Sequence, residues 1–177
     1  VLAGVQPHLM VTDPPYGVSY DATWRGKAGL ATLGKNRTGK VDADDRADWR
    51  EAWALFPGNI AYVWHGGLHS SVVAESLEAC DLKLRAQIIW VKTVMVMGRG
   101  DYHWMHEPIL YGWKEGQNHK WVGGRKNTTI LEYATDHYNK KEADTDGYVH
   151  PTQKPVGLIT IPLTNSSEKG DIVLDLF

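Results

Sequence analysis

An apolar run followed at once by two prolines is the feature that most constrains the fold of this chain. Leu9, Met10 and Val11 precede residues 13–16, whose sequence is Asp-Pro-Pro-Tyr. The apolar run predicts a buried strand over residues 8–12. Because proline has a fixed φ and no N–H group, the chain cannot continue from this strand into a helix. The sequence therefore predicts a strand that ends in a rigid, polar turn.

The polar groups of that turn suit a flat ring that carries an amino group. The Asp13 carboxylate and the Pro14 carbonyl can point the same way and offer two hydrogen-bond acceptors, and Tyr16 adds an aromatic face. Two acceptors match an exocyclic NH2 group, and the aromatic face matches the ring that bears it. The turn is therefore typical of a pocket for adenine or cytosine.

A second polar motif lies near the other end of the chain. Residues 150–155 have the sequence His-Pro-Thr-Gln-Lys-Pro, and the apolar stretch 171–177 ends in Asp-Leu-Phe. The proline at position 155 predicts the first turn of a helix, and residues 171–177 predict a strand. Open α/β sheets bind ligands at the carboxyl ends of their strands. We therefore expect the strand that ends at Asp13 to lie beside the strand that ends at Phe177.

Together these motifs resemble those of the DNA amino-methyltransferases, which methylate N6 of adenine or N4 of cytosine. In that family Asp-Pro-Pro-Tyr is the catalytic loop, and Asp-Leu-Phe begins the loop for S-adenosylmethionine. The order found here, with the catalytic motif first, is similar to the permuted β group. The resemblance implies an α/β fold with a Rossmann-like methyltransferase sheet, circularly permuted and truncated. Residues 1–177 would form a partial catalytic domain, with the catalytic motif at 13–17, a target-recognition segment at 114–148 and a cofactor region at 150–177.

The resemblance also implies roles for individual residues. The catalytic residues would be Asp13, Pro14, Pro15 and Tyr16. The residues that bind S-adenosylmethionine would be Asp13, Thr152, Gln153, Lys154, Asp175 and Phe177. A glycine-rich loop after the catalytic motif carries five cations and no acidic residue, and it is well placed to contact the phosphates of double-stranded DNA: Arg25, Lys27, Lys35, Arg37 and Lys40.

Several alternatives to an adenine-specific enzyme stay open. Asp at position 13 is commoner among relatives that act on adenine, and Ser among those that methylate N4 of cytosine. Protein glutamine methyltransferases have Asn-Pro-Pro-Tyr and the reverse motif order. The chain stops at Phe177, before the Gly-x-Gly segment of the family. A non-catalytic DNA-binding remnant is therefore a further alternative, and we expect residues 1–177 alone to be inactive. The resemblance also allows a ParB-like domain N-terminal to Val1.

Composition excludes some classes of protein and favours others. The net charge is −2 and the pI about 6.5, so the chain has no global basic field for nucleic acid. The single Cys80 indicates a reducing compartment, and we expect a cytoplasmic protein. No apolar run approaches the roughly 20 residues of a membrane span. The eight histidines lack the cysteine or carboxylate partners of a metal site, so we expect no metal, and we expect His65 to be a satisfied structural histidine.

The rest of the chain alternates strand-like and helix-like segments, as expected for an α/β sheet. We predict strands at 60–64, 86–91 and 109–113 and helices at 45–56 and 69–80, and we expect 114–148 to be mostly loop. The first helix would bury Trp49, Trp53 and Phe56. The second would bury Val72, Val73, Leu77 and Cys80 and expose Glu75 and Glu78. Pro162 should kink or break the helix that begins at 155.

Overall fold

The computed structural model describes residues 2–20, 43–96, 100–134 and 154–177, which form one six-stranded mixed sheet with helices on both faces. Across the sheet the strand order is β5-β3-β4-β2-β1-β6. The strands are β1 (Leu9–Thr12), β2 (Ile60–Trp64), β3 (Leu82–Val96), β4 (Trp104–Lys114), β5 (Ile130–Glu132) and β6 (Val173–Leu174). The helices are α1 (Arg50–Trp53), α2 (Ser70–Glu78) and α3 (Val156–Ser166), and a 3₁₀ turn spans Gly67–His69.

Three parallel strands form the part of the sheet that carries the sequence motifs. Leu9 of β1 pairs with Ile60 of β2 on one side and with Val173 of β6 on the other. All four residues of β1 are buried, as is usual for a parallel strand covered on both faces. The strand before Asp13 therefore lies beside the strand before Phe177, and this prediction is confirmed.

In the other half of the sheet β4 is antiparallel to its neighbours and β5 pairs with β3 in parallel, and β3 and β4 are longer than predicted. β4 runs antiparallel to β2 and to β3. The apolar runs at 86–91 and 109–113 cover only the middle of β3 and β4, because the ladder continues beyond both runs into segments that also contain polar residues. Lys92 of β3 and Glu107 of β4 lie in these extensions and form an ion pair, which compensates part of the cost of their burial.

Side chains alternate between two cores, one on each face of the sheet. Met10 and Val63 face a core shared with Trp53 of α1 and Leu77 of α2. The neighbouring positions along β1 and β2 face the opposite core, which includes Leu158 of α3. This two-residue period is the geometry of a pleated strand, and it explains why both strands consist almost wholly of apolar residues.

The predicted helix at 45–56 is wrong in length, although its apolar face is right. Trp49, Trp53 and Phe56 are buried, but only Arg50–Trp53 is helical. The Asp48 carboxylate accepts a hydrogen bond from the Arg50 N–H at 3.0 Å, which marks the helix start. Residues before this point are held instead by the catalytic turn, as described below.

Helix α2 is rotated relative to the prediction. Val73 and Leu77 are buried and the two glutamates are exposed as expected, but Val72 is exposed and Cys80 is only half-buried. Ser76 replaces them in the core, where its hydroxyl accepts a hydrogen bond from Trp53 Nε1 at 3.0 Å. The polar residue enters the core because it satisfies the indole N–H.

Helix α3 runs unbroken from Val156 to Ser166, so the predicted break at Pro162 is wrong. Pro162 lies on the same face as Leu158 and Ser166, and all three are buried. Burial of this face offsets the loss of one backbone hydrogen bond. Within the described part of 114–148, β5 is the regular element beyond the end of β4. No helix among the described residues is long and apolar enough to cross a membrane.

Candidate active site

The two motifs meet at the carboxyl edge of the parallel strands. Asp13 follows β1 directly, and Asp175 follows β6. The Thr12 hydroxyl donates a hydrogen bond of 2.6 Å to Asp175 Oδ1, and Thr12 is buried. This bond ties the end of the predicted catalytic strand to the end of the predicted cofactor strand. Asp175 itself stays exposed at the edge.

A buried carboxylate holds the turn that carries the catalytic motif. Asp44 accepts hydrogen bonds from the backbone N–H groups of Gly17, Val18 and Tyr20, at 2.7, 3.2 and 2.7 Å. Gly17 has a φ of +74°, and a Cβ there would lie 2.7 Å from the backbone carbonyl carbon of Arg46. A residue with a side chain would be strained in this conformation and would clash as well. The turn is therefore fixed from outside the motif.

Trp49 connects the same turn to the end of the chain. Its Nε1 donates a hydrogen bond of 3.0 Å to the Pro15 carbonyl, and its ring packs edge-on against Phe177 at 4.8 Å between centroids. Phe177 also lies 5.9 Å from the ring of Trp53. The aromatic ring predicted to touch the cofactor thus packs in part against the segment that supports the catalytic turn.

Four charged side chains and a tyrosine converge beside the turn. Lys154 Nζ lies 2.7 Å from Asp13 Oδ2 and 3.1 Å from Glu107 Oε2, and Lys92 pairs with the other oxygen of Glu107. The Tyr16 hydroxyl lies 2.9 Å from Asp13 Oδ1 and 2.9 Å from Glu107 Oε2. A hydroxyl has one proton to donate, so Tyr16 can bond to one carboxylate at a time. Two carboxylates and two ammonium groups balance the charge of the cluster.

Four members of the cluster have shifted pKa values whose directions their surroundings explain: Glu107, Asp13, Tyr16 and Lys154. Burial alone would raise the pKa of Glu107, but Lys154 and Lys92 lower it to about 2. Burial raises the pKa of Asp13, and Lys154 opposes that rise. Burial and the two carboxylates raise the pKa of Tyr16, so it stays neutral. Although burial acts against the charge of Lys154, Asp13 and Glu107 raise its pKa.

Several predicted site residues cannot be placed. Thr152 and Gln153 lie outside the described residues, and so do the five cations of the basic loop (Arg25, Lys27, Lys35, Arg37 and Lys40). Their roles stay predictions. Among the described residues, Lys92 and Glu107 belong to this cluster although the sequence analysis did not assign either of them to the site. A carboxylate next to a predicted buried strand was the signal that could have singled out Glu107.

The expectation for His65 is half right. This residue is buried at the carboxyl end of β2, and Nδ1–H donates to the Gly66 carbonyl at 3.0 Å. Nε2, however, has no hydrogen-bond partner. Burial lowers the pKa of His65, which keeps the ring neutral. Within the described ranges, no group of three or more His, Cys, Asp or Glu side chains could hold a metal ion.

Comparison with known proteins identifies the family. The profile of the N6/N4 methyltransferases, described as DNA methylase, matches residues 7–177. The chain belongs to the DNA methylase family. The chain is 25% identical over 189 residues to the type II methyltransferase M.HpaI of Haemophilus parainfluenzae. That match covers 96% of this chain and 56% of M.HpaI, so the chain spans about half the length of this curated relative.

Solved structures confirm the fold of this DNA methylase. The crystal structure of the M1.HpyAVI–SAM complex matches with a TM-score of 0.57 and 20% identity, over 98% of this chain and 73% of that one. The crystal structure of M1.HpyAVI matches with a TM-score of 0.55 and 19% identity, over 98% of this chain and 71% of that one. The α/β, Rossmann-like methyltransferase sheet expected from the motifs is therefore correct.

Proposed function

We propose that the protein to which residues 1–177 belong transfers a methyl group from S-adenosylmethionine to the exocyclic amino group of a base in double-stranded DNA, with N6 of adenine as the target. One observation carries the proposal: the predicted catalytic turn and the predicted cofactor strand end lie side by side. The hydrogen bond from Thr12 to Asp175 joins the end of β1, which leads into Asp13, to the end of β6. The preference for adenine rests on the resemblance alone, because Asp at position 13 is commoner among adenine-specific relatives.

The protein's task in this reaction is mainly placement. The lone pair of an exocyclic nitrogen is delocalised into the ring, which makes the nitrogen a poor nucleophile. Hydrogen bonds from the amino group to Asp13 and to the Pro14 carbonyl would favour sp3 geometry and stabilise the positive charge that develops on nitrogen. Base pairing hides this nitrogen in a duplex, so the base would be flipped out and stacked on Tyr16. The contacts of the Tyr16 hydroxyl with Asp13 and Glu107 support this role, because they fix the ring.

The cofactor site would lie across the ends of β1 and β6. The carboxylates of Asp13 and Asp175 suit the ammonium group of a methionine moiety, and Asp175 is exposed where such a group could reach it. Thr152 and Gln153 are assigned to the cofactor from the motif at 150–155. When bound, S-adenosylmethionine supplies an electrophilic methyl group, and the chain's own residues orient the amino group towards it.

DNA binding is assigned from sequence to the basic loop and to residues 114–148. Neutralising phosphates releases counterions, so affinity should fall steeply as salt rises. Replacing Arg25, Lys27 and Lys35 together by alanine should weaken binding to any duplex and reduce the salt slope by about three. Fluorescence anisotropy at several salt concentrations measures both quantities. An unchanged slope would remove the loop from the interface.

The reaction is tested by methyl transfer to duplex DNA from tritium-labelled S-adenosylmethionine, followed by nuclease digestion and mass spectrometry of the nucleosides. From a chain extended past Phe177 we expect N6-methyldeoxyadenosine, and from residues 1–177 alone we expect no methyl transfer. N4-methyldeoxycytidine instead would retain the reaction and refute the adenine assignment. Label in an added protein substrate but not in DNA would refute the proposal of a DNA target. DNA binding by the extended chain with no methyl transfer would favour the DNA-binding remnant.

A further inference from the structure

The charged groups beside the catalytic turn form a continuous series of alternating sign. Lys92 on β3 pairs with Glu107 on β4, Glu107 pairs with Lys154 just before α3, and Lys154 pairs with Asp13 after β1. The motif resemblance assigns Lys154 to the cofactor. In the structure its ammonium is instead directed at two carboxylates, and its side chain is only 8% exposed.

We propose that Lys154 is a positioning residue for Asp13, and that Glu107, anchored by Lys92, holds Lys154 in that position. The inference rests on the proposed function, because it assumes that Asp13 is the acceptor for the substrate amino group. It differs from the motif-based role, in which Lys154 would bind the cofactor.

The local backbone favours this placement of Lys154. The next residue, Pro155, precedes the first turn of α3 and accepts a hydrogen bond from the Leu158 N–H at 3.1 Å. A residue before proline is restricted mainly to extended conformations. The backbone of Lys154 therefore has few conformations available where it leads into α3. The position of its long side chain then depends on what binds the ammonium group. The carboxylates of Asp13 and Glu107 bind it, at 2.7 and 3.1 Å from Nζ.

The placement matters because an ionised Asp13 accepts a stronger hydrogen bond from the amino group than the protonated acid does. Burial works against ionisation, and so does the nearby Glu107 carboxylate. Tyr16 donates to one oxygen at 2.9 Å, and Lys154 donates to the other. Among the described residues that face Asp13, Lys154 is the group that brings a positive charge, with Lys92 behind Glu107. Loss of Lys154 should therefore favour the protonated acid, which is a poorer acceptor.

The titration of Asp13 tests the inference directly. Aspartate labelled with ¹³C at the carboxyl carbon is followed by NMR against pH, without DNA or cofactor, and the Asp13 signal is assigned by its absence in Asp13→Asn. In Lys154→Met we expect the Asp13 midpoint to rise by about one to three pH units, the usual effect of losing a close opposite charge. In Lys154→Arg the charge is kept, and the midpoint should stay close to that of the wild type. An unchanged midpoint in Lys154→Met would overturn the inference.

The chain offers a matched control. Lys120 also bridges two carboxylates, with Asp171 at 2.6 Å and Glu168 at 2.8 Å, but it lies at the opposite end of the sheet. Lys120→Met should leave the Asp13 midpoint unchanged. If Lys120→Met moves the midpoint as far as Lys154→Met does, the effect is not local and the inference fails.

Methyl-transfer kinetics, measured on a chain extended past Phe177, separate a positioning role from cofactor binding. A positioning role predicts that Lys154→Met lowers kcat and moves the acid limb of the pH profile upward, with little change in KM for S-adenosylmethionine. A raised KM with kcat unchanged would assign Lys154 to the cofactor and overturn the inference. If the wild type transfers no methyl group while the Asp13 midpoint still moves, the proposed function fails and the link between Lys154 and Asp13 is supported.

Discussion

Replacing Glu107 by glutamine should destabilise the protein strongly at neutral pH. The side chain is 19% exposed, its two oxygens are paired with Lys92 and Lys154, and the Tyr16 hydroxyl lies 2.9 Å from one of them. Its pKa is about 2, against an ordinary value of 4.5. At about 1.4 kcal/mol for each pH unit, the folded state favours the ionised form by about 3 kcal/mol. Glu107→Gln should lower the free energy of unfolding by about this amount at pH 7.

The contribution of Glu107 to the free energy of unfolding should depend on pH. The pKa of Glu107 is lower in the folded state than in the unfolded state, so its stabilisation is fully present above pH 4.5 and is lost as the pH falls towards 2. The glutamine variant lacks this dependence. The difference in unfolding free energy between wild type and variant should therefore shrink as the pH falls and be about half its neutral value by pH 3.

Urea unfolding followed by tryptophan fluorescence measures these free energies, since the chain has eight tryptophans. The control is Glu51→Gln, because Glu51 pairs with Arg46 at 2.5 Å but both side chains are about half exposed. Exposed pairs contribute about 0–1 kcal/mol, so this variant should remain close to the wild type. A loss of less than about 1 kcal/mol for Glu107→Gln at pH 7 would refute the reasoning, since broken buried pairs cost about 3–5 kcal/mol.

A double-mutant cycle isolates the pair with Lys92. Lys92→Met leaves Glu107 without one of its two ammonium partners, and Glu107→Gln leaves the buried Lys92 unpaired. The double variant removes both charges together, and such replacements are often close to neutral. We expect the double variant to cost less than the sum of the single variants by about 2 kcal/mol or more. Additive costs would mean that the two side chains act independently.

Three further changes test the turn and the core. In a chain extended past Phe177, Asp13→Ala should abolish methyl transfer, because the lost contacts belong mainly to the transition state. The affinity for S-adenosylmethionine, measured by calorimetry, should stay within about tenfold, and near-normal turnover would remove Asp13 from catalysis. Asp44→Ala should cost about 3 kcal/mol in urea unfolding, since three N–H groups of the turn lose a buried acceptor. The exposed Asp45→Ala is its control, and equal losses would contradict this reasoning. Ser76→Ala should cost about 1–3 kcal/mol because it leaves the indole N–H of Trp53 without its acceptor; a neutral result would argue against that hydrogen bond.

Local sequence determined the parts of this protein that depend on short-range chemistry. The apolar runs located β1 and β2, because a strand covered on both faces must be apolar throughout. The two prolines after Asp13 fixed the end of β1, and the motifs at 13–16 and 150–155 identified the DNA methylase family, which the comparisons confirm. The sequence also predicted that β1 and β6 are neighbours in the sheet, because each of the two predicted strands leads into a motif.

Tertiary structure alone decided the electrostatics of the site. Asp13, Lys92, Glu107 and Lys154 come from four separate elements, and the partner of each charge lies far away in sequence. Residue type does not reveal such pairs, because a charged residue at the end of a strand is as compatible with solvent as with a buried partner. The same reason explains the misassigned helix before Arg50: the buried Asp44 is held by long-range hydrogen bonds to the turn. Ion pairs and side-chain acceptors between distant segments form only when the sheet brings those segments together.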